Sequence, residues 1–368
     1  MIWTPPVTLF FYFAGSYLRF VLYCVLGLMA FVELLDVVSL MNNAGETGKD
    51  ISFFWILVVA LYNLPRLLEQ MLPFGVFAGS VICFYFWSRN QEFVTARGFG
   101  QNIWQALSPV FAVVFLIGMF QITVMSPLVS AMSSQYEAEM DQIFNNRASG
   151  NLSISANGVW LRDRSDDRMM IIHGRKLDPD DARIEEPVLY HVDDRGALRS
   201  RISGQEMQLV DNQWRITGAR EIANNGTVTP VGEIGLNSIL DKRSLSLSIR
   251  PPHTINVYSM PGFISVLKDA GLATEPYRVY FHQLLSTPFK LLGLVMLAAS
   301  ISLVHFSRQQ RFRLIVIALS ASFGFYFLSD LIFVLGNSSR LPYYVAGWAP
   351  ALLIMCIGAV LLARVEEH

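Results

Sequence analysis

"FWSRNQEFVTARGFGQNIW", residues 86–104, decides how the fold is read. It is a polar interval between two long apolar runs. It carries Arg89, Glu92 and Arg97 and two glycines, Gly98 and Gly100. Each flanking run is long enough to cross a bilayer, so the interval reads as a short polar helix on the cytoplasmic side of the membrane. Arg89 suits a loop whose charges only enforce topology. Glu92 does not, because a carboxylate works against that placement.

The rest of the chain supports the same frame. Of its 57 charged residues, 37 fall between Ser134 and Phe281, and the longer flanks are poor in charge. Charged residues make up 15% of the whole against about 25% in a soluble domain. Mean hydropathy is +0.40. A span needs about 20 apolar residues, and six segments qualify: 19–40, 67–88, 104–127, 283–305, 313–335 and 342–364. The apolar run before the second span begins at Phe53. Because Pro65 and Pro73 would interrupt a helix of that length, 53–66 is expected to be an interfacial or partly extramembrane helix leading into the span. With the N-terminus inside, the short inner loops hold Arg19, Arg89, Arg97, Arg308, Arg311, Arg313 and Arg364, and the outer ones hold Lys49 and Arg340. This asymmetry predicts both termini in the cytoplasm and the long middle segment outside it. The start of the chain does not read as a cleavable signal peptide, since it lacks a basic opening.

The middle segment reads as β structure. "LSISANGVWLRD", "RMMIIHGRKL", "EEPVLYHVDD" and "EMQLVDNQWRITGARE" alternate in polarity, and Asn157-Gly158, Asp211-Asn212 and Asn225-Gly226 mark turns. Val159, Leu161, Met170, Ile172, Leu189 and Trp214 are expected on one face. The architecture is therefore six transmembrane helices in a 3+3 arrangement with an inserted all-β domain, a sandwich or jelly roll. Its domain limits are 1–133, 134–281 and 282–368.

Several chemistries are missing. A net charge of −1 gives no basic field for nucleic acid. Cys24, Cys83 and Cys356 lie in apolar runs and read as small buried hydrophobes. No zinc motif, G-x-S-x-G or Walker A sequence is present, and "GETGKD" (45–50) has the wrong spacing for the last. No catalytic or metal-binding residue is expected, and energy for any work has to come from a partner. Ionisable groups in spans cost at least about 2.5 kcal/mol each at the centre. Glu33 and Asp36, three apart in span one, read either as a polar cavity mouth or as hydrated interface residues. Asp330 in span five has no sequence neighbour to pair with. Arg66 and Glu69 are expected to form a local ion pair. Phe323, Phe325, Tyr326 and Phe327 fit lipid packing and an apolar cavity equally well.

The stretch 72–109, with Pro73, Gly79, Glu92, Arg97, Gly100 and Pro109, resembles the lipopolysaccharide export permeases LptF and LptG. So do "YLRFVL" in span one, "MSPLVSAMSSQYE" at the end of span three and "LPYYVAGWAPALL" in span six. "ELLDVV", "MLPF" and "EFVTARGFG" look more like LptG. The resemblance implies the membrane subunit of an ABC transporter in the bacterial inner membrane, with a periplasmic β-jellyroll. It implies these partners: a second, LptF-like permease, two copies of an LptB-like ATPase that hold the ATP and magnesium, an LptC-like single-span jellyroll protein, and lipopolysaccharide as substrate. Residues 89–100 would be the coupling helix, with Glu92, Arg97, Gly98 and Gly100 meeting the ATPase. Phe31, Leu35, Met71, Phe74, Phe77, Phe323 and Tyr326 would line the substrate cavity. Some members carry basic residues near the outer end of span one; "VVSLMNNAG" here has none. The other reading is a membrane-anchored sensor whose β domain binds an external ligand.

Overall fold

A computed structural model describes residues 7–46, 51–143 apart from 93, 94, 96, 97, 99 and 101, 152–303 apart from 156–157, 166–167, 179–180, 193–197, 211–212, 224–227, 239–250 and 271, and 311–367 apart from 339. They divide into two compact units, one running to Glu139 and resuming at Arg278, the other Met140–Tyr277.

The first unit is helical. Helices α1 (Val7–Glu46), α2 (Phe53–Arg89) and α3 (Ile103–Phe120) precede the β segment; α3 continues through a π turn, Gln121–Met125, into α4 (Ser126–Ile143). Six candidate spans result, since α6 (Glu275–Ser302), α7 (Arg311–Asn337) and α8 (Tyr343–Glu367) follow it. The π turn has a local cause. Pro127 has no N–H to give the carbonyl of Thr123, so the ladder widens just before it.

The expected break in the second span is not found. Helix α2 runs unbroken for 37 residues with Pro65 and Pro73 inside it. Each proline deletes one backbone bond, but α2 lies packed against neighbouring helices, which lets a membrane helix keep its course past a proline. At 1.5 Å per residue the helix is roughly 55 Å long, well beyond a hydrocarbon core of about 30 Å.

Helices α1 and α2 pack with little space between their backbones. Gly75 and Gly79 stand four apart on α2. A Cβ on Gly79 would lie 2.7 Å from the Cα of Val21, and one on Gly75 would lie 2.5 Å from a methyl of Val25. This is the small-residue spacing that lets membrane helices approach. The seam continues toward the 89–100 loop: Tyr17 and Ser80 share a hydrogen bond of 2.8 Å, and the rings of Phe13 and Trp87 meet at 4.6 Å. Interhelical hydrogen bonds in membranes are worth only about 0.6 kcal/mol on average. Close packing along the seam therefore outweighs the hydroxyl pair. Helices α6 and α8 are joined similarly, by Ser286 donating to the carbonyl of Gly347 at 2.7 Å and by the Trp348 indole donating to His282 at 3.3 Å.

The second unit is a ten-stranded antiparallel sheet: β1 (Leu152–Ser155), β2 (Gly158–Ser165), β3 (Arg168–Gly174), β4 (Lys176–Asp178), β5 (Arg183–Glu185), β6 (Val188–Val192), β7 (Leu198–Ser203), β8 (Glu206–Val210), β9 (Gln213–Ala223) and β10 (Val228–Asn237). The order is β1-β2-β3-β6-β7-β9-β8-β5-β4, with β10 also on β9. The far end returns to lie beside β2, giving a near-barrel. The six residues expected on one face are all fully enclosed: Val159, Leu161, Met170, Ile172, Leu189 and Trp214. Asp163 is the polar exception among them. It is 3% exposed and accepts from the Trp214 indole at 2.7 Å and from the Ser238 hydroxyl, so its burial is compensated. A short helix α5 (Met260–Asp269) follows the strands.

Gly79→Ala should lower stability in detergent by about 1–3 kcal/mol through overpacking against Val21. Gly15→Ala, at an exposed site of α1 with open space around it, should not lower it, since alanine favours the helix over glycine. Thermal melts of the two purified variants check this.

Candidate functional site

The 89–100 segment is held at both ends. Helix α2 stops at Arg89; the N–H of Asn90 donates to the carbonyl of Phe86 and that of Gln91 to the carbonyl of Ser88. Gln91 then takes a left-handed conformation, φ 57°, uncommon for a side-chain-bearing residue. A new helical turn starts there, with the N–H and the hydroxyl of Thr95 both donating to the Gln91 carbonyl at 2.9 Å. Gly100, φ +79°, ends the segment in the left-handed region that favours glycine. Asn102 and Gln105 form a reciprocal capping box at the start of α3.

Within this frame Glu92 is half-buried. One carboxylate oxygen accepts from the Tyr12 phenol of α1 at 3.3 Å, the other from the Asn90 amide at 3.4 Å. Both donors are neutral. Among the described residues no lysine or arginine lies within ion-pair distance of it. Gly98 is exposed, and among the described residues nothing lies within 4 Å of where its Cβ would be. Arg97 lies outside the described residues.

The candidate cavity residues divide. Phe31 and Leu35 are 62% and 51% exposed on one face of α1. Phe323 and Tyr326 are exposed on α7, and Phe74 of α2 reaches Tyr326 with ring centroids 5.2 Å apart. Met71 is half-buried against the core. Phe77 differs: it is 3% exposed and packed in the helical core. Asp330 is exposed, seven residues from Phe323 and four from Tyr326, hence on the same face of α7. Only 6% of the apolar window of α7 is buried within the chain, against 67% for α6.

The expected ion pair between Arg66 and Glu69 does not form. Arg66 turns to Glu137 of α4 at 3.9 Å, and Glu69 accepts from the Tyr280 phenol of α6 at 3.0 Å. Asn63 donates to Asp36 at 3.1 Å. Both oxygens of Glu33 are enclosed, without a hydrogen-bond partner among the described residues. Residues 63, 66 and 69 thus form a polar stripe at three-residue spacing that ties α2 to α1, α4 and α6 in turn. That spacing was the available signal; it set the stripe on one face, but tertiary partners took the bonds.

A family model described as lipopolysaccharide export system permease LptF/LptG matches residues 11–364. The chain belongs to this family. The match covers nearly the whole chain, both units included, and is common to LptF and LptG. The protein is thus a multi-pass membrane permease subunit of lipopolysaccharide export, non-catalytic in itself. No curated protein matches it.

Removing the Tyr280 hydroxyl leaves the Glu69 carboxylate short of a donor. Tyr280→Phe should cost about 1–3 kcal/mol of stability. In a double-mutant cycle with Glu69→Leu, the second substitution should recover part of that loss; strictly additive melting shifts would show that the two groups do not interact.

Proposed function

We propose that this LptF/LptG-family chain is driven by ATP hydrolysis on a separate cytoplasmic ATPase seated against residues 89–100. The observation that carries the reading is the Glu92 carboxylate. It is oriented by two neutral donors and has no lysine or arginine within ion-pair distance among the described residues. Such a group is prepared for a basic side chain from outside. Gly98 and Gly100 permit close approach of the partner, and Arg97, five residues after Glu92, adds a charge to the same segment.

Both termini face the cytoplasm, and the β unit is periplasmic. The substrate cavity opens along the exposed faces of α1 and α7, lined by Phe31, Leu35, Phe74, Phe323 and Tyr326. Asp330 supports this choice: a carboxylate on the face of a spanning helix is costly against lipid tails and calls for water or a partner chain. That face is completed by a second, LptF-like permease. Two LptB-like ATPases, which bind the ATP and magnesium, and an LptC-like jellyroll protein complete the assembly. Of the two family branches, the LptG-like motifs favour LptG.

Losing one partner of a buried charge pair costs about 2–5 kcal/mol. Glu92→Ala should therefore strip the ATPase from the permease in mild-detergent purification and abolish its turnover in the complex. Glu92→Lys should do the same more completely. Glu206→Ala, on the β unit, should leave both intact. A chain that purifies without any ATPase, or a Glu92→Ala chain that keeps it, overturns the reading.

A further inference from the structure

The two halves of the β sheet differ on their outward faces. Strands β1, β2, β3, β6 and β7 contain a single acidic residue, Asp163, and it points inward. Their outer face therefore carries no carboxylate. It carries aromatic rings and arginines instead. The rings of Trp160 and Tyr190 lie 6.2 Å apart and only 15° from parallel, and Trp160 also meets His173 at 4.4 Å. The Arg201 guanidinium sits 5.8 Å from the centre of the Tyr190 ring. Register explains the assembly: Trp160 opposes His173, Tyr190 opposes Arg201, and Ser203 opposes Arg220 in adjacent strands. Trp160, Arg201 and Arg220 are exposed.

The other half provides the contrast. Around β4, β5 and β8, Arg183 pairs with Glu206 at 2.8 Å and with Asp181 at 3.7 Å, and Arg175 pairs with Glu186 at 3.2 Å. Those are ordinary neutralised surface charges. Arg201 and Arg220 have no acidic partner among the described residues. A flat aromatic platform is suited to the apolar face of a sugar ring. A guanidinium fork beside it is suited to bidentate bonding of phosphate or carboxylate.

We propose that the outer face of β2, β3, β6 and β7, together with Arg220 of the adjoining β9, binds an anionic saccharide, and that this saccharide is the phosphorylated sugar portion of the lipopolysaccharide itself. The choice of source rests on the export reading; the chemistry of the site does not. The buried face of the sheet, packed with apolar side chains, is left out of this contact. The sugar stacks on Trp160 and Tyr190, and Arg201 and Arg220 take its negative groups.

The test uses the full-length chain in detergent and the water-soluble core oligosaccharide released from lipopolysaccharide, with binding followed by calorimetry. Arg201→Gln and Trp160→Leu should each weaken binding by roughly tenfold, as expected for losing one charge-assisted or stacking contact. Arg201→Lys, which keeps the charge but loses the fork, should fall between wild type and Arg201→Gln. Arg183→Gln, on the other half, should bind as wild type does. Dephosphorylated oligosaccharide should bind about tenfold more weakly, and neutral dextran fragments should not compete. Melting temperatures of the variants, measured alongside, separate a binding contact from one that only strengthens the sheet. Absence of oligosaccharide binding, or equal binding by the Arg201→Gln/Arg220→Gln double variant, overturns the site. Tighter binding of carboxylated peptidoglycan fragments overturns the assignment to lipopolysaccharide. Lost saccharide binding with ATPase association intact sinks this inference alone; the converse result sinks the export reading and leaves the saccharide site.

Discussion

The close approach of α1 and α2 at Gly75 and Gly79 is the constraint on which the helical unit depends. It requires both glycines, since a methyl at either position would collide with Val21 or Val25. It fixes the rotation of α2 about its axis. Three consequences follow from that rotation. The polar stripe of Asn63, Arg66 and Glu69 reaches donors and acceptors on α1, α4 and α6. Phe74 falls on the side of α7, while Phe77 falls inside. The end of α2 arrives beside the start of α1, where Tyr12 can reach Glu92. One long helix thus carries the core seam, a face toward α7 and the loop that meets the ATPase in the proposed function.

The unit buries its helices unequally. Helix α6 is mostly enclosed, while α1 and α7 leave whole faces bare. In a bilayer an apolar bare face costs nothing. An exposed carboxylate on such a face does, and Asp330 is the reason the proposed function sets its cavity on that face of α7. The β unit shows a parallel division by charge, with ion-paired arginines on one half of its outer surface and, on the other, Arg201 and Arg220, which have no acidic partner among the described residues.

Much of this was legible beforehand. The β core followed from strict alternation, because a period of two leaves no choice of face once one residue is buried; Val159, Leu161, Met170, Ile172, Leu189 and Trp214 are all enclosed. The spans followed from length and charge depletion alone. The misreadings share a cause. Pro65 and Pro73 interrupt helices in water, but neighbours sustain α2 across them. Arg66 and Glu69 have the spacing of a local pair, yet each found a better-placed partner on another helix. Apart from these two, the different burial of Phe74 and Phe77 was not legible, since a helix apolar on every side carries no periodic mark of which face is inside. The cross-strand grouping of Trp160, Tyr190 and Arg201 depended on register between β2, β3, β6 and β7, which local sequence does not encode.

The most direct measurement is site-specific photocrosslinking in cells, with a photoreactive phenylalanine at Phe31, Phe323 and Phe77 in turn, and at Leu116, which is 66% exposed on α3. The account predicts lipopolysaccharide adducts at Phe31 and Phe323, none at the interior Phe77 and none at Leu116. Adducts at Leu116 equal to those at Phe323, or none at either cavity position, would contradict it.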